Sequence, residues 1–203
     1  MTNTQEGLQS SSESSQDNSR KLILYNIAEL PEKKYFKDFN VSWNPKAKYA
    51  YESCKEWANK QIQPFLTLYG GVGVGKTHLA LAAACEMIEN QGIAVRYFSS
   101  SELIRKIQNN MKDNNPVSII DQVKNAQALI IDDIGREYST PFVEATMHEI
   151  IDYRYSKKLL TLVATNHSLG ELEKIVGVPV VSRLKDSKVG RFIVIDGKDI
   201  REK

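Results

Sequence analysis

Gly70-Gly71-Val72-Gly73-Val74-Gly75-Lys76-Thr77 matches, at every fixed position, the spacing G-x-x-x-x-G-K-[ST] of a phosphate-binding loop. The apolar run Phe65-Leu66-Thr67-Leu68-Tyr69 leads into it and reads as a buried strand. The small-residue run His78-Leu79-Ala80-Leu81-Ala82-Ala83-Ala84 leads out of it and reads as a helix. The motif thus has the strand–loop–helix setting it requires, which disfavours a mere glycine-rich turn before an ordinary helix. Triphosphate oxygens need several donors at short range. Glycines let the backbone curl so that successive N–H groups converge, and the helix starting near Lys76 adds its unpaired N–H groups and positive dipole end. On this reading residues 70–78, His78 included, bind ATP; Lys76 reaches the β- and γ-phosphates and the Thr77 hydroxyl ligates Mg2+.

Working outward, Ala128-Leu129-Ile130-Ile131 is a fully apolar strand that ends in Asp132-Asp133. That is the pattern of a metal-holding carboxylate, Asp132, followed by one placed to orient or deprotonate the attacking water, Asp133. A polar turn after a strand is the plain alternative, and the upstream phosphate loop weighs against it. A further apolar strand, residues 159–164, ends in Thr165-Asn166. Asn166 can polarise the same water or contact the γ-phosphate; taken alone, a strand-ending Asn is often only a turn residue. Ser182-Arg183-Leu184 precedes the final strand, residues 191–195. A fixed guanidinium charge at Arg183 suits transition-state phosphate oxygens, against the ordinary reading of a solvated surface arginine.

The remaining elements alternate. Ala47, Tyr51, Cys54, Ala58 and Ile62 recur at helical spacing from Asn44, and Pro64 closes that helix. The helix after the phosphate loop stops at Gly92, residues 93–98 form a second strand, and Ser99-Ser100-Ser101 caps a helix to about Asn110. Asp113-Asn114-Asn115-Pro116 has turn chemistry, residues 119–124 a short helix, and Thr140 with Pro141 opens another helix whose inner face is read as Phe142, Thr146, Ile150 and Tyr153. Apolar strands alternating with helices call for an α/β fold, a five-stranded parallel sheet covered on both faces. Gly70, Asp132 and Asn166 all fall at or just past strand C-termini, the sheet edge where ligands bind.

With 203 residues the chain suffices for one domain, and a net charge of +2 confines any nucleic-acid contact to local patches. Residues 1–20 are mostly Ser, Gln, Asn, Thr and Glu and read as a disordered tail. Residues 21–43 read as a segment that packs on the core or docks a partner, and residues 44–203 as the domain proper. Cys54 and Cys85 lack metal spacing and read as buried free thiols. No apolar run approaches the roughly 18 residues of a membrane span, and there is no apolar signal core; the expectation is a cytoplasmic protein with no membrane association.

Taken together, residues 69–80 (Tyr-Gly-Gly-Val-Gly-Val-Gly-Lys-Thr-His-Leu-Ala), 129–135 (Leu-Ile-Ile-Asp-Asp-Ile-Gly), 150–155 (Ile-Ile-Asp-Tyr-Arg-Tyr), 161–166 (Thr-Leu-Val-Ala-Thr-Asn) and 182–184 (Ser-Arg-Leu) resemble the AAA+ ATPases. Within them they resemble the DnaC/IstB-like group of helicase loaders and transposition helpers. The resemblance runs from about Phe36 to about Ile195. It implies an AAA+ P-loop core, Asp132 as the Walker B metal residue and Asp133 as the catalytic carboxylate; in a departure from many AAA+ proteins, the short stretch after strand five leads to the expectation of no C-terminal helical lid. It further implies Asn166 as sensor 1 and Arg183 as an arginine finger acting in trans on a neighbouring subunit. It also implies ATP and Mg2+ as cofactors, a homo-oligomer on single-stranded DNA, and a DnaB-type replicative helicase as partner, or a transposase for an IstB-like helper. In the group the helices after strand two face the pore; here they carry Arg105, Lys106, Lys112 and Lys124 as candidate DNA contacts, against the reading of a solvated charged face. Arg201 is the only late candidate for a sensor 2. A small-molecule kinase and an ATP-switched DNA-binding module with little turnover are the rivals.

Overall fold

The computed structural model describes residues 3–43, 45–113, 118–136 and 139–197. Asn44, the turn over residues 114–116 and Arg201 lie outside them. Five strands form one sheet: β1 (Phe65–Gly70), β2 (Val95–Ser99), β3 (Ala128–Asp132), β4 (Leu160–Thr165) and β5 (Gly190–Ile195). Their order is β2-β3-β4-β1-β5, and every neighbouring pair is parallel. Parallel strands need crossovers, and the helices that supply them cover both faces.

Side-chain alternation sends each strand's residues to two cores. Leu66, Leu68, Ile130, Leu162 and Ala164 face a layer built by α1 (Asn3–Ala28), α2 (Pro45–Ala58) and α3 (Lys76–Gln91), with Trp57, Leu79 and Met87 among its buried members. Phe65, Leu129, Ile131 and Val163 face the second layer, α4 (Ser100–Lys112), α5 (Ile119–Lys124), α6 (Pro141–Ser156), α7 (Leu169–Val176) and α8 (Val178–Leu184). Burying each such side chain contributes about 1.5–3 kcal/mol against leaving it in water. Both cysteines are buried and free. Among the described residues no helix is long and apolar enough to cross a membrane.

The register puts Leu68 opposite Ala164 of β4 on one side and Ile193 of β5 on the other. At the end of β1 the packing against β5 leaves no room for a side chain. A Cβ on Gly70 would stand 2.1 Å from the Ile195 carbonyl oxygen, so this first glycine is demanded by the sheet as well as by the loop.

Three features of the fold differ from or add to what the sequence signals. First, α1 runs unbroken from Asn3 to Ala28, where composition reads a disordered tail over residues 1–20. Its anchored end is the C-terminal part, where Leu24 and Ala28 are buried and Tyr25 donates to Glu89. An anchored turn lets a helix propagate at little nucleation cost, even through weak helix formers. Within residues 21–43, Phe36 and Phe39 are also buried. Second, residues 168–184, read only as the approach to the last strand, hold two helices. α7 opens with a capping box, Ser168 and Glu171, and Gly177, at φ 87°, separates it from α8. Third, the inner face of α6 is turned by one residue: Val143, Met147, Ile151 and Arg154 are buried with Thr146 and Ile150, while Phe142 and Tyr153 stand at its margin.

Arg154 is fully buried. Its Nη1 donates to the carbonyls of Val123, Lys124 and Ala126 at 2.9 Å each, its Nη2 to Leu160 O at 2.6 Å and its Nε to Thr161 Oγ1 at 2.9 Å. The planar fork thereby closes the C-terminus of α5 and ties it to the start of β4, a place where a cation also meets the negative helix end. Burial pulls its pKa down to about 10.

Candidate nucleotide-binding site

At the carboxyl ends of β1, β3 and β4 lies a cleft of about 680 Å³. Gly73, Gly75, Lys76, Thr77, Asp133 and Asn166 all line it. Gly75 has φ 95°, and a Cβ there would stand 2.6 Å from the Phe39 ring; the left-handed turn and the packed ring leave glycine as the only fit. His78 Nε2 lies 3.0 Å from Tyr35 O, and its ring meets Phe39 edge-on at 5.4 Å. The segment before α2 therefore buttresses the loop from behind.

Lys76 is 5% exposed. Its Nζ donates to the carbonyls of Gly70 (2.8 Å) and Gly71 (2.7 Å), which folds the ammonium over the loop. Asp132 is also buried and accepts from Tyr97 Oη at 2.9 Å, from the Asp133 N–H at 3.0 Å and from the Thr77 hydroxyl. Burial pushes its carboxyl above the ordinary carboxylate range and the Asp133 charge pushes the same way, while the Thr77, Tyr97 and Asp133 hydrogen bonds pull back. Tyr97 is itself pushed up by burial and stays a neutral donor. The Thr77 hydroxyl and the Asp132 carboxylate form a hard-oxygen pair of the kind that suits Mg2+. Among the described residues no group of three or more His, Cys, Asp and Glu gathers as a metal cage, so a cation here would share its ligands with phosphate and water.

Asp133 has φ 53°, a left-handed conformation uncommon for a residue with a side chain and concentrated at functional turns. Asn166 Nδ2 reaches Asp133 Oδ1 at 3.4 Å, and Arg136 Nη1 stands 3.5 Å from Oδ2. The structure thus brings together the two aspartates, the asparagine and the loop lysine that the sequence marked separately. Sequence reading missed Arg136, His167, Glu32 and Lys34 on the same cleft. The first follows Asp-Asp-Ile-Gly directly and was within reach of motif reasoning; the last two arrive only through the tertiary path of the N-terminal segment.

The other candidates lie elsewhere. Arg183, on α8, pairs with Asp152 and donates to Pro179 O at 2.9 Å, away from the cleft of its own chain. Lys106 pairs with Glu29 and Glu102, and Lys124 with Glu149 and Asp121, so these two cations are engaged within the fold. Arg105 and Lys112 are exposed on α4.

Asp132 makes the stability of the fold depend on pH. Because its folded pKa is raised, the stabilisation from its neutral form is full below the ordinary aspartate range and is lost as pH rises through the raised value. Near neutral pH the buried charge works against the nucleotide-free fold. Asp132→Asn is expected to raise the melting temperature of nucleotide-free protein at pH 7.5 by a few degrees, on the order of 1 kcal/mol, and to narrow the gap at pH 4. Thermal melts at the two pH values check both signs.

The comparisons with known proteins fit this geometry. The family model described as IstB-like ATP binding protein matches residues 6–187. The chain is similar to the replicative helicase loader DnaI of Bacillus subtilis (strain 168), 32% identical over 109 residues that cover 53% of this chain and 35% of that protein. It is similar to the replicative helicase loader DnaC of Escherichia coli (strain K12), 26% identical over 118 residues, 57% of this chain and 48% of that one. It therefore spans about half or less of the length of these curated relatives. Among solved structures, a DnaC helicase loader superposes with a TM-score of 0.70 at 26% identity, covering 79% of this chain and 96% of that one. AMPPCP-bound DnaA of Aquifex aeolicus shares the fold, with a TM-score of 0.69 at 23% identity over 83% of this chain and 51% of that one. Loop, paired aspartates, strand order and family match converge: the chain belongs to the IstB-like ATP binding protein family and is built on the AAA+ ATPase core.

Proposed function

We propose that the chain is an ATP-dependent helicase loader of DNA replication, which binds and hydrolyses ATP with Mg2+ and assembles as a homo-oligomer on single-stranded DNA to place a DnaB-type replicative helicase. The observation that carries the reading is the convergence of Lys76, Thr77, Asp133 and Asn166 on one cleft, with the buried Asp132 hydrogen-bonded to Thr77, in a chain similar to proteins named replicative helicase loaders. Residues 70–78 hold the triphosphate through backbone N–H groups. Lys76 leaves the Gly70 and Gly71 carbonyls to meet the β- and γ-phosphates, and Thr77 and Asp132 hold the cation. When bound, Mg2+ neutralises charge on the phosphate oxygens. Asp133 accepts the proton of the attacking water and Asn166 orients that water. A neighbouring subunit inserts Arg183, which must first be released from Asp152. The domain division into an N-terminal tail, a packing segment and an ATPase domain over residues 44–203 belongs to the same proposal.

Hydrolysis should require Mg2+ and rise on addition of single-stranded DNA; a chain that binds ATP without turning it over would defeat the enzyme reading. Arg183→Ala is expected to leave ATP affinity unchanged and to lower turnover of the DNA-assembled protein by on the order of 10³-fold, the scale of a lost arginine finger. Normal turnover of that variant in the assembled state would remove the trans role. A second reading, an IstB-like helper of a transposase, is favoured by the description of the matching family. It uses the same motor, and affinity capture from the native host with a non-hydrolysable ATP analogue separates the two: a ring helicase supports the first, a transposase the second.

A further inference from the structure

The end of α1 and the segment that follows it lie along α3, tied to one polar stripe of that helix. Tyr25 and Tyr35 donate to Glu89 Oε1 at 2.5 and 3.2 Å. The Lys34 N–H is hydrogen-bonded to the Cys85 sulfur, and Tyr35 O lies 3.0 Å from His78 Nε2. Positions 78, 85 and 89 share one helical face, so residues 29–39 form a strap that runs along α3 to the phosphate loop. Its last polar tie, His78, is the residue after Thr77. Phe36 and Phe39 are buried beyond it, Phe39 against Gly75.

The strap carries three lysines, Lys33, Lys34 and Lys37. Lys33 Nζ sits 3.7 Å from the centre of the Tyr25 ring, and Lys37 Nζ 5.4 Å from that of Tyr35. Of the three, Lys34 alone lines the nucleotide cleft, beside Glu32, Thr77 and His78. Its Nζ pairs with Glu32 at 2.8 Å; the lysine side chain is 35% exposed and the carboxylate 55%. A pair so open to water is weak. A phosphate chain offers more charge and more acceptor oxygens than one carboxylate, so its arrival draws the ammonium away from Glu32. The backbone has no need to move, because the Lys34 N–H and the next carbonyl are already held on α3; the four-carbon stem swings alone.

We propose that Lys34 is a second phosphate-binding lysine of the cleft, supplied by the strap and not by the loop, and that Glu32 holds it in reserve while the cleft is empty. The proposal rests on the nucleotide-binding reading of the cleft. Glu32 is then a competitor of the ligand: it neutralises the ammonium that the phosphates use, and it stays behind as a repelling charge when they arrive. Phosphate entry clasps the strap to the loop and tightens the chain between α1 and α3.

Isothermal titration of the full chain with Mg2+ and AMPPCP, which presents every phosphate of ATP without being hydrolysed, tests the assignment by sign. Lys34→Ala is expected to weaken binding about tenfold, the scale of one charge-assisted contact. Glu32→Gln is expected to tighten it several-fold. Lys33→Ala and Lys37→Ala should leave it unchanged. A pair that merely braces the strap predicts a loss in both Lys34→Ala and Glu32→Gln, so tighter binding by Glu32→Gln separates the two roles. Hydrogen exchange supplies a readout apart from affinity: AMPPCP at saturation should slow exchange of the amides of residues 32–36 in the parent chain and not in Lys34→Ala. Parent-like affinity of Lys34→Ala, weaker binding by Glu32→Gln, or equal protection in both chains overturns the proposal. The loop variant Lys76→Ala keeps the readings apart. If it loses AMPPCP while Lys34→Ala binds as the parent does, the nucleotide site stands and the strap contact falls; a parent chain that binds no AMPPCP overturns both.

Discussion

Lys76→Ala is expected to reduce ATP turnover by at least 10²-fold and to weaken nucleotide binding severely. The ammonium is buried over the phosphate loop on the Gly70 and Gly71 carbonyls, where it would meet β- and γ-oxygens as charge develops on them; losing one such preorganised donor typically costs about 10²–10³ in rate. The fold should survive. Alanine is a good helix former at the first position of α3, and of the two glycines whose carbonyls it deserts, Gly71 is exposed. Isothermal titration with ADP and a steady-state phosphate-release assay check the two losses, and circular dichroism checks the fold. Lys76→Arg is expected to bind nucleotide weakly as well, because a planar fork cannot replace a compact point charge within the curl of the loop. Retained hydrolysis in Lys76→Ala would remove the loop assignment, and with it the proposed function.

The largest effect on stability is expected from Arg154, which touches no part of the cleft. Arg154→Ala leaves the buried carbonyl of Val123 and the part-buried carbonyls of Lys124, Ala126 and Leu160 without their donor and opens a cavity between α5, α6 and β4. Hydrogen bonds to a charged donor are worth about 1.5–3 kcal/mol apiece and do not sum, because the carbonyls relax together; a net loss on the order of 4 kcal/mol is expected. For a chain of this size that corresponds to a fall of roughly 8–16 °C in melting temperature. Arg154→Lys should recover only part of it, since three donors on a flexible stem cannot span five acceptors in one plane. Differential scanning calorimetry of the two variants decides the matter, and a change below about 1 kcal/mol in Arg154→Ala would show that the network is not a structural tie.

Arg154 also shows where sequence reading stops. The phosphate loop, the apolar strands and the caps at Ser99 and Thr140 were legible because each signal is local: a fixed spacing, a run of apolar residues, a hydroxyl that accepts from the N–H three residues later. Asp132, Asp133 and Asn166 were legible because a parallel sheet delivers the ends of its strands to one edge. An arginine in a Tyr-Arg-Tyr helix carries no local mark of burial; its acceptors lie in α5 and β4, and only the packed fold shows that they converge. The same holds for Arg136, whose partner is three residues away but which also lines a second cavity bounded by α4, and for Glu32 and Lys34, brought to the cleft by a segment that reads only as packing on the core or docking a partner. Composition reports only what a segment can bury by itself, and so carries no signal for α1, which is anchored through Leu24 and Ala28 at its far end. The two short helices before β5 were overlooked because eight and seven residues give periodicity too little length to register.

The strand that carries the phosphate loop is flanked by β4 and β5, both encoded beyond residue 159, and never by a strand adjacent to it in sequence. On the ribosome, then, β1 emerges early and waits with both hydrogen-bonding edges bare while the next three crossovers are translated. Gly70 gains its close neighbour, the Ile195 carbonyl, only when β5 has cleared the exit tunnel. The end of β1 is therefore closed by its second neighbour only after the last strand of the sheet has been made.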